Sequence, residues 1–202
     1  MLLTLFMFSA VEHNPVFPEA APLATSDATW VQRCQQGDPE GFRWLYRRFQ
    51  SRVRGTLYRL CGEEALDDLT QEVFMRVWRG LPRLRQVEIF NTWLYRITLN
   101  VAHDYRRQRA HQRTQIQNLS QTVPDRIPGP DLINLHYEEL VRQGLAALSF
   151  DHRTVLVLHD LEALSQKEIS EILRIPVGTV KSRLFHARAA LRRYLETQGV
   201  RL

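Results

Sequence analysis

LSQKEISEILRIPVGTVKSRLFHARAALRRY, Leu164 to Tyr194, decides how the rest of this chain is read. Ser165 is placed to cap a helix, and Glu168, three residues on, to reach back to it, an S-x-x-E capping box. Ile169, Ile172 and Leu173 follow at helical spacing. Arg174-Ile175-Pro176 interrupts the pattern, because Pro176 lacks an N–H and its ring pushes Ile175 out of the α region. A second helix starts at Val177 and turns Val180, Leu184, Ala187 and Leu191 to one side. Its other face carries Thr179, Lys181, Ser182, Arg183, Phe185, His186 and Arg188, with no carboxylate before Glu196. Two helices across a tight turn, the second basic and rich in hydroxyls, form the pattern of a helix-turn-helix that enters a DNA major groove. The plainer alternative is a helical hairpin with a solvated basic face.

Composition narrows the class. The 202 residues are 44% apolar, glycine and proline are scarce over most of the length, and no stretch alternates cleanly at period two. An all-α fold is expected. A formal charge of +5 favours a polyanionic partner, and its distribution says more. Residues 1–32 contain no Lys or Arg, whereas basic clusters stand at Arg106-Arg107-Gln108-Arg109 with Arg113 and again from Lys181 to Arg193. Two separated patches imply nucleic-acid contact at two places. Cys34 and Cys61 lack metal spacing and read as buried, reduced thiols, and the seven histidines form no ligand cluster, so no metal site is expected. The opening MLLTLFMFSAV is too short to span a bilayer and lacks a basic leader, so it reads as a disordered tail or a mis-chosen start, and the protein as cytosolic.

Residues 1–25 are expected to be unstructured. Asp27 or Ser26 caps a short helix carrying Trp30, Val31 and Cys34, and Asp38-Pro39 restarts the chain with a cap and a proline at the first helical position. Phe42, Leu45, Tyr46, Phe49, Val53 and Leu57 then form a long apolar stripe that Gly62 ends. In the next helix, Glu64 to Arg79, Leu66, Leu69, Val73 and Val77 face a core with Phe74 and Trp78 beside them. Glu64, Asp68 and Glu72 line another face, with Asp67 and Gln71 adjacent: either a solvated surface or a docking face for a basic partner. After a short loop, Phe90 to Arg109 forms a helix with Phe90, Leu94, Ile97, Val101 and Tyr105 inward. Trp93, Arg96, Asn100, His103 and Arg107 lie on a different face, mixing an aromatic with cations as single-stranded nucleic acid requires, although a lone Trp at helical spacing is more often core. Residues 110–134, with Pro124, Pro128, Gly129 and Pro130, read as a flexible linker between two small helical domains, 26–109 and 135–198. Fully extended, such a linker reaches about 80 Å.

Together these blocks resemble the bacterial sigma-70 family, most closely its extracytoplasmic-function (ECF) class. The resemblance runs from about Trp30 to Leu195 and rests on DDLTQEVFMRVW (Asp67–Trp78), FNTWLYRITLNVAHDYRR (Phe90–Arg107) and the stretch from Leu148 to Leu195. It implies an initiation subunit of RNA polymerase that reads −10 and −35 promoter elements. The first domain resembles region 2, whose acidic face (Asp67, Asp68, Gln71, Glu72) would dock on the clamp helices of core RNA polymerase. Its Phe90–Arg109 helix and the loop before it would melt the −10 element, with Trp93, Arg96, Asn100 and Arg107 on the non-template strand. The second domain resembles region 4, with Thr179, Lys181, Ser182, Arg183, Phe185 and His186 at the double-stranded −35 element. His186 stands where an arginine is common, which weakens a phosphate contact near neutral pH. The resemblance further implies an anti-sigma factor that would cover the Asp67–Glu72 face or the helix-turn-helix.

The competing reading is a stand-alone dimeric helix-turn-helix regulator. It leaves the acidic stripe, the Trp93 face and the linker without a role, and no heptad pattern supports a dimer. An enzyme such as a nuclease would need clustered carboxylates or a phosphate-cradling glycine loop. Asp67-Asp68 alone does not supply one, so no catalytic residue, cofactor or small-molecule substrate is expected.

Overall fold

The computed structural model describes residues 27–116 and 132–200, so the expectation for the tail at residues 1–25 lies outside the described part. Among the described residues the chain is helical throughout: α1 (Asp27–Gln35), α2 (Pro39–Cys61), α3 (Leu66–Gly80), α4 (Phe90–Ile116), α5 (Leu132–Ala147), α6 (Phe150–Leu156), α7 (Gln166–Leu173) and α8 (Val177–Thr197). None is long and apolar enough to cross a membrane.

The local signals act as the sequence implies. Asp38 Oδ1 accepts the Glu40 N–H at 2.9 Å with Pro39 at the first helical position, and Gly62, at φ 84°, ends α2. Gly41 is required for packing: a Cβ there would lie 2.8 Å from the Cys34 backbone nitrogen, so α1 and α2 meet backbone to backbone. The loop after α3 is held in two 3₁₀ turns, Leu81–Arg83 and Val87–Ile89. The Gln35 amide donates to Leu81 O (2.9 Å) and Leu84 O (2.7 Å), tying α1 to a loop in which Leu81 O also accepts the Leu84 N–H.

Three features differ from expectation. Trp78 does not join the core: it is 48% exposed, with its ring edge-on to Phe42 at 4.8 Å. Tyr46, expected in the buried stripe of α2, is also exposed. Helix extends into both ends of the segment read as linker, α4 through Ile116 and α5 from Leu132, because these ends hold good helix formers and the first proline comes only at Pro124. The remainder of that segment, residues 117–131, lies outside the described residues.

In the second half, Ser149 caps α6, and a π turn over Val157–Leu161 follows, with Glu162 N–H bonding back to Val157 O at 3.0 Å. The capping box forms: Ser165 Oγ accepts from Glu168 N–H (3.2 Å), and Glu168 Oε2 accepts from Ser165 N–H (2.8 Å). The turn before Pro176 is made by Arg174, in the left-handed region at φ 57°. Ser170 Oγ donates to Ile175 O at 2.6 Å and fixes it.

The two halves pack on each other. One apolar core contains Leu45, Phe49, Leu57, Val73 and Leu94 of the first half with Val155, Leu158, Ile169, Ile172 and Val180 of the second. A smaller cluster, including Leu140, Leu148, Leu156, Ala187 and Leu191, joins α5 to α8.

Gly41→Ala is expected to cost about 1–3 kcal/mol by forcing α1 from α2, read as a lowered urea midpoint. Ser165→Ala is expected to cost about 1 kcal/mol through the lost cap. Bonds from the Ser165 hydroxyl and N–H hold the Glu168 carboxyl below the usual carboxylate range. Its stabilising contribution is therefore complete above the unfolded pKa of about 4.3 and is lost as pH falls through the lower folded value. The stability deficit of Glu168→Gln should accordingly shrink on acidification, as thermal melts at descending pH would reveal.

Candidate functional site

Three surfaces carry the chemistry. The first is the outward face of α3. Asp67 is 84% exposed and paired with Arg54, Asp68 and Gln71 are exposed, and Glu72 accepts from Arg76 Nε at 2.7 Å. Arg76 also reaches Asp104 of α4 at 3.1 Å. Asp67 and Asp68 sit in the first helical turn, where the helix dipole favours negative charge. Further along α3, exposed Met75 and Trp78 carry the surface on as an apolar extension.

The second surface is α4 and the loop before it. Trp93 is half-buried, its ring over Gly80, where a Cβ would lie 2.7 Å from Cζ2. Here Gly80 is needed to admit the indole. Trp93 borders an open cleft lined by Arg83, Leu84, Arg85, Gln86 and Ile89. Asn100 and Arg107 are exposed, Arg107 lying 3.9 Å from Asp104. Arg96 is occupied: its Nη2 donates to Glu171 O at 2.6 Å and its Nε to Ile172 O at 3.3 Å, both in the last turn of α7. The structure thus brings Trp93, Asn100 and Arg107 to an accessible face and turns Arg96 to another helix. Arg83 and Arg85 escaped the sequence reading, although R-L-R in the loop before an aromatic-bearing helix was the available signal.

The third surface is the N-terminal half of α8. Lys181, Ser182 and His186 are exposed and Phe185 is 70% exposed. Ser182 Oγ donates to Thr179 O at 3.1 Å. Phe185 and His186 rings touch edge to face at 5.4 Å.

Sigma-70 region 2 matches residues 45–112, and Sigma-70 region 4 matches residues 138–191. The ECF RNA polymerase sigma-E factor of Haemophilus influenzae is 32% identical over 173 residues, covering 81% of this chain and 92% of that protein. Its Escherichia coli K12 counterpart is 34% identical over 176 residues, covering 82% and 92%. This chain belongs to the sigma-70 family, in its ECF class. Among solved structures, CnrH in complex with the cytosolic domain of CnrY superposes with a TM-score of 0.66 at 25% identity, over 86% of this chain and 99% of that one. The sigma factor RpoE of Bartonella quintana, solved with the anti-sigma factor NepR, shares the fold at 21% identity, with a TM-score of 0.62 over 77% and 96%. The dimeric-regulator alternative finds no support in these likenesses.

Within this sigma factor, much of the basic charge counted from the sequence is engaged elsewhere. Arg183 pairs with Asp151 at 2.6 Å, Arg188 Nε with Asp160 at 3.0 Å, and Arg192 with Glu196 at 2.8 Å. Burial alone would raise the Asp160 pKa; bonds from Arg188 and His159 outweigh it and hold the carboxylate charged. In region 2, Arg106 lies over the Phe150 ring at 5.0 Å, and Arg109 bonds Glu64 and the Tyr105 hydroxyl. The thiols are free, with Cys34 buried and Cys61 half-buried; burial pushes the Cys61 thiol up to about 11, which keeps it protonated and unreactive. Among the described residues no group of His, Cys, Asp and Glu is placed to hold a metal ion.

Lys181 and Arg183 should therefore separate in a binding assay. Lys181→Ala is expected to weaken duplex binding by the polymerase-bound protein and to flatten the log–log salt dependence by about one unit. Arg183→Ala is expected to act mainly through the lost Asp151 pair, moving the thermal midpoint more than the salt slope.

Proposed function

We propose that this sigma factor docks on core RNA polymerase through the Asp67, Asp68, Gln71 and Glu72 face of α3. On this reading it melts the −10 element along α4 and holds the double-stranded −35 element with α8. The observation that carries the reading is the presence of two accessible surfaces of different chemistry in one chain. The Trp93 cleft offers an indole for a base to stack on, with Arg83 and Arg85 placed to neutralise the strand's phosphates. The α8 surface offers a cation and a hydroxyl, Lys181 and Ser182, on the N-terminal turns of a groove-sized helix. The first suits the melted non-template strand and the second suits a duplex.

Phosphate contacts supply affinity, and base contacts supply discrimination. One recognition helix alone buries too little surface for tight, specific binding. Anchoring both halves to one polymerase raises the effective concentration of each at its element. On this reading Thr179 and Phe185 make apolar contact with a thymine methyl, and Asn100 and Arg107 hold the strand leaving the Trp93 cleft. The protein acts in the cytoplasm as a non-enzymatic subunit, and an anti-sigma factor holds it by covering the α3 face or the helix-turn-helix. No small-molecule substrate enters this scheme.

The test is capture of core polymerase by the purified full chain against an Asp68→Arg, Glu72→Arg double variant. Stoichiometric capture by wild type and at least a tenfold loss in the variant, with unchanged helicity, is the expected result. Equal capture by both moves the interface off α3, and no capture by folded wild type overturns the function.

A further inference from the structure

Two histidines from different helices stand together beside the residues assigned to the duplex. His186 is exposed on α8 next to Phe185, and half-buried His152 comes from the first turn of α6. Their ring centroids lie 6.3 Å apart at an interplanar angle of 31°. Ser149 caps α6 by accepting the His152 N–H at 3.4 Å, and Phe185 meets the His186 ring edge to face at 5.4 Å. The two helices are locked by a core that includes Leu156, Ala187 and Leu191, so the pair stands on rigid elements rather than on a loop.

The charged groups around the pair are already committed. From α6, Asp151 pairs at 2.6 Å with Arg183, which precedes His186 by one turn of α8. From the π turn, Asp160 and His159 bond Arg188, which projects from nearly the opposite side of α8. The α5 helix meets α8 further along, at Leu191 and Tyr194, where Gln143 accepts the Tyr194 hydroxyl. The α7 helix contributes apolar Ile169 and Ile172 to the core that holds Val180 and Leu184. Among the described residues His159 is the histidine with a carboxylate partner, and the rings of His152 and His186 remain open to an incoming anion.

We propose that His186, with His152 behind it, forms a proton-linked contact to duplex DNA: a proton on the pair tightens the hold on a backbone phosphate, and binding draws that proton from solvent. This rests on the assignment of α8 to the −35 element. A neutral imidazole offers a phosphate one N–H, whereas an imidazolium offers two donors and a charge, and charge-assisted hydrogen bonds are roughly twice as strong as neutral ones. Histidine is the side chain suited to such a change between pH 5 and 8. The added charge counts because the N-terminal half of α8 turns few others outward: Lys181 is exposed, and Arg183 is held by Asp151. By linkage, bound DNA favours the protonated pair as much as the proton favours bound DNA. Promoter occupancy therefore rises as pH falls.

The test measures duplex affinity of core polymerase carrying the full chain, from about pH 8 to about pH 5.5 at fixed salt. The probes are duplexes that the wild-type complex selects from a random pool near neutral pH. On acidification wild type is expected to tighten by about three- to tenfold relative to His186→Gln, whose own pH response reports the rest of the complex. His186→Arg should bind as tightly as acidified wild type and follow the His186→Gln response. At the acid end the wild-type log–log salt dependence should be steeper than that of His186→Gln by about one unit. His152→Gln should keep the response but move its midpoint to higher pH, because no second ring competes for the proton. Circular dichroism must show the wild-type helical signal throughout. A wild-type profile parallel to that of His186→Gln, or a midpoint that His152→Gln leaves in place, would overturn the proton linkage. A defect in Lys181→Ala alongside such a profile would keep α8 on the duplex, whereas equal binding by Lys181→Ala, His186→Gln and wild type at every pH would strike that assignment as well.

Discussion

A single long helix, α4, has more neighbours than a surface helix can satisfy with one stripe. Phe90, Leu94 and Val101 are buried on one stripe, but so are Tyr95, Thr98, Leu99 and Ala102, which a helix packed on that stripe alone would leave wet. The excess burial is met by α2 and α3 on one side and by α7 on the other. Everything else in the arrangement follows from that sharing. The region 2 bundle supplies half a core, region 4 supplies the remainder, and the polar groups at the seam are answered by residues of the opposite half. Each half alone is small and would be marginally stable, so mutual burial is a substantial fraction of what holds either.

The distribution of cations follows the same logic. Several arginines that look like a nucleic-acid surface in the sequence end on carboxylates or helix C-terminal carbonyls. Burial, reinforced by the nearby charge of Arg106, lowers the Arg153 pKa to about 10, which leaves it charged at neutral pH, and its N–H groups are received by three carbonyls. Removing such a group would leave those carbonyls dry and unpaired, a greater cost than the bonds themselves. The N-terminal half of α8 turns Lys181, Ser182, Phe185 and His186 outward, and region 2 turns out Arg83, Arg85, Asn100 and Arg107 around the half-buried Trp93. A surface that mixes cations with hydroxyl, amide and aromatic groups suits base selection better than a uniform basic one, which would bind any duplex.

Local chemistry made most of the fold readable. Asp38-Pro39, the Ser165–Glu168 box and the Pro176 turn each act within four residues, so their outcome does not depend on the rest of the chain. The order of two helical domains and the helix-turn-helix itself were legible for that reason. Trp78 was not, because spacing places it beside the core but does not say whether any element covers it. The contacts of Glu162 with Thr56 and Tyr95, of Arg153 with Leu60 and of Arg96 with α7 were hidden for a related reason. Their partners lie 67 to 106 residues away, and a π turn resets the phase that helical spacing assumes. Of the proposed DNA contacts, Lys181, Ser182, Phe185, His186, Asn100 and Arg107 are accessible as their spacing implied. Arg183 and Arg96 are engaged by carboxylate and carbonyl neighbours contributed by other helices.

Two surfaces of this chain together set the promoter choice of the polymerase that carries it. The most direct measurement is transcription by purified core polymerase, with and without the chain, on a library of random duplexes, followed by sequencing of the transcripts. Initiation is expected only with the chain present, from templates sharing two short blocks at a fixed separation upstream of the start. Transcripts no more numerous or selective than those of core alone, from a chain that is folded and bound, would contradict it.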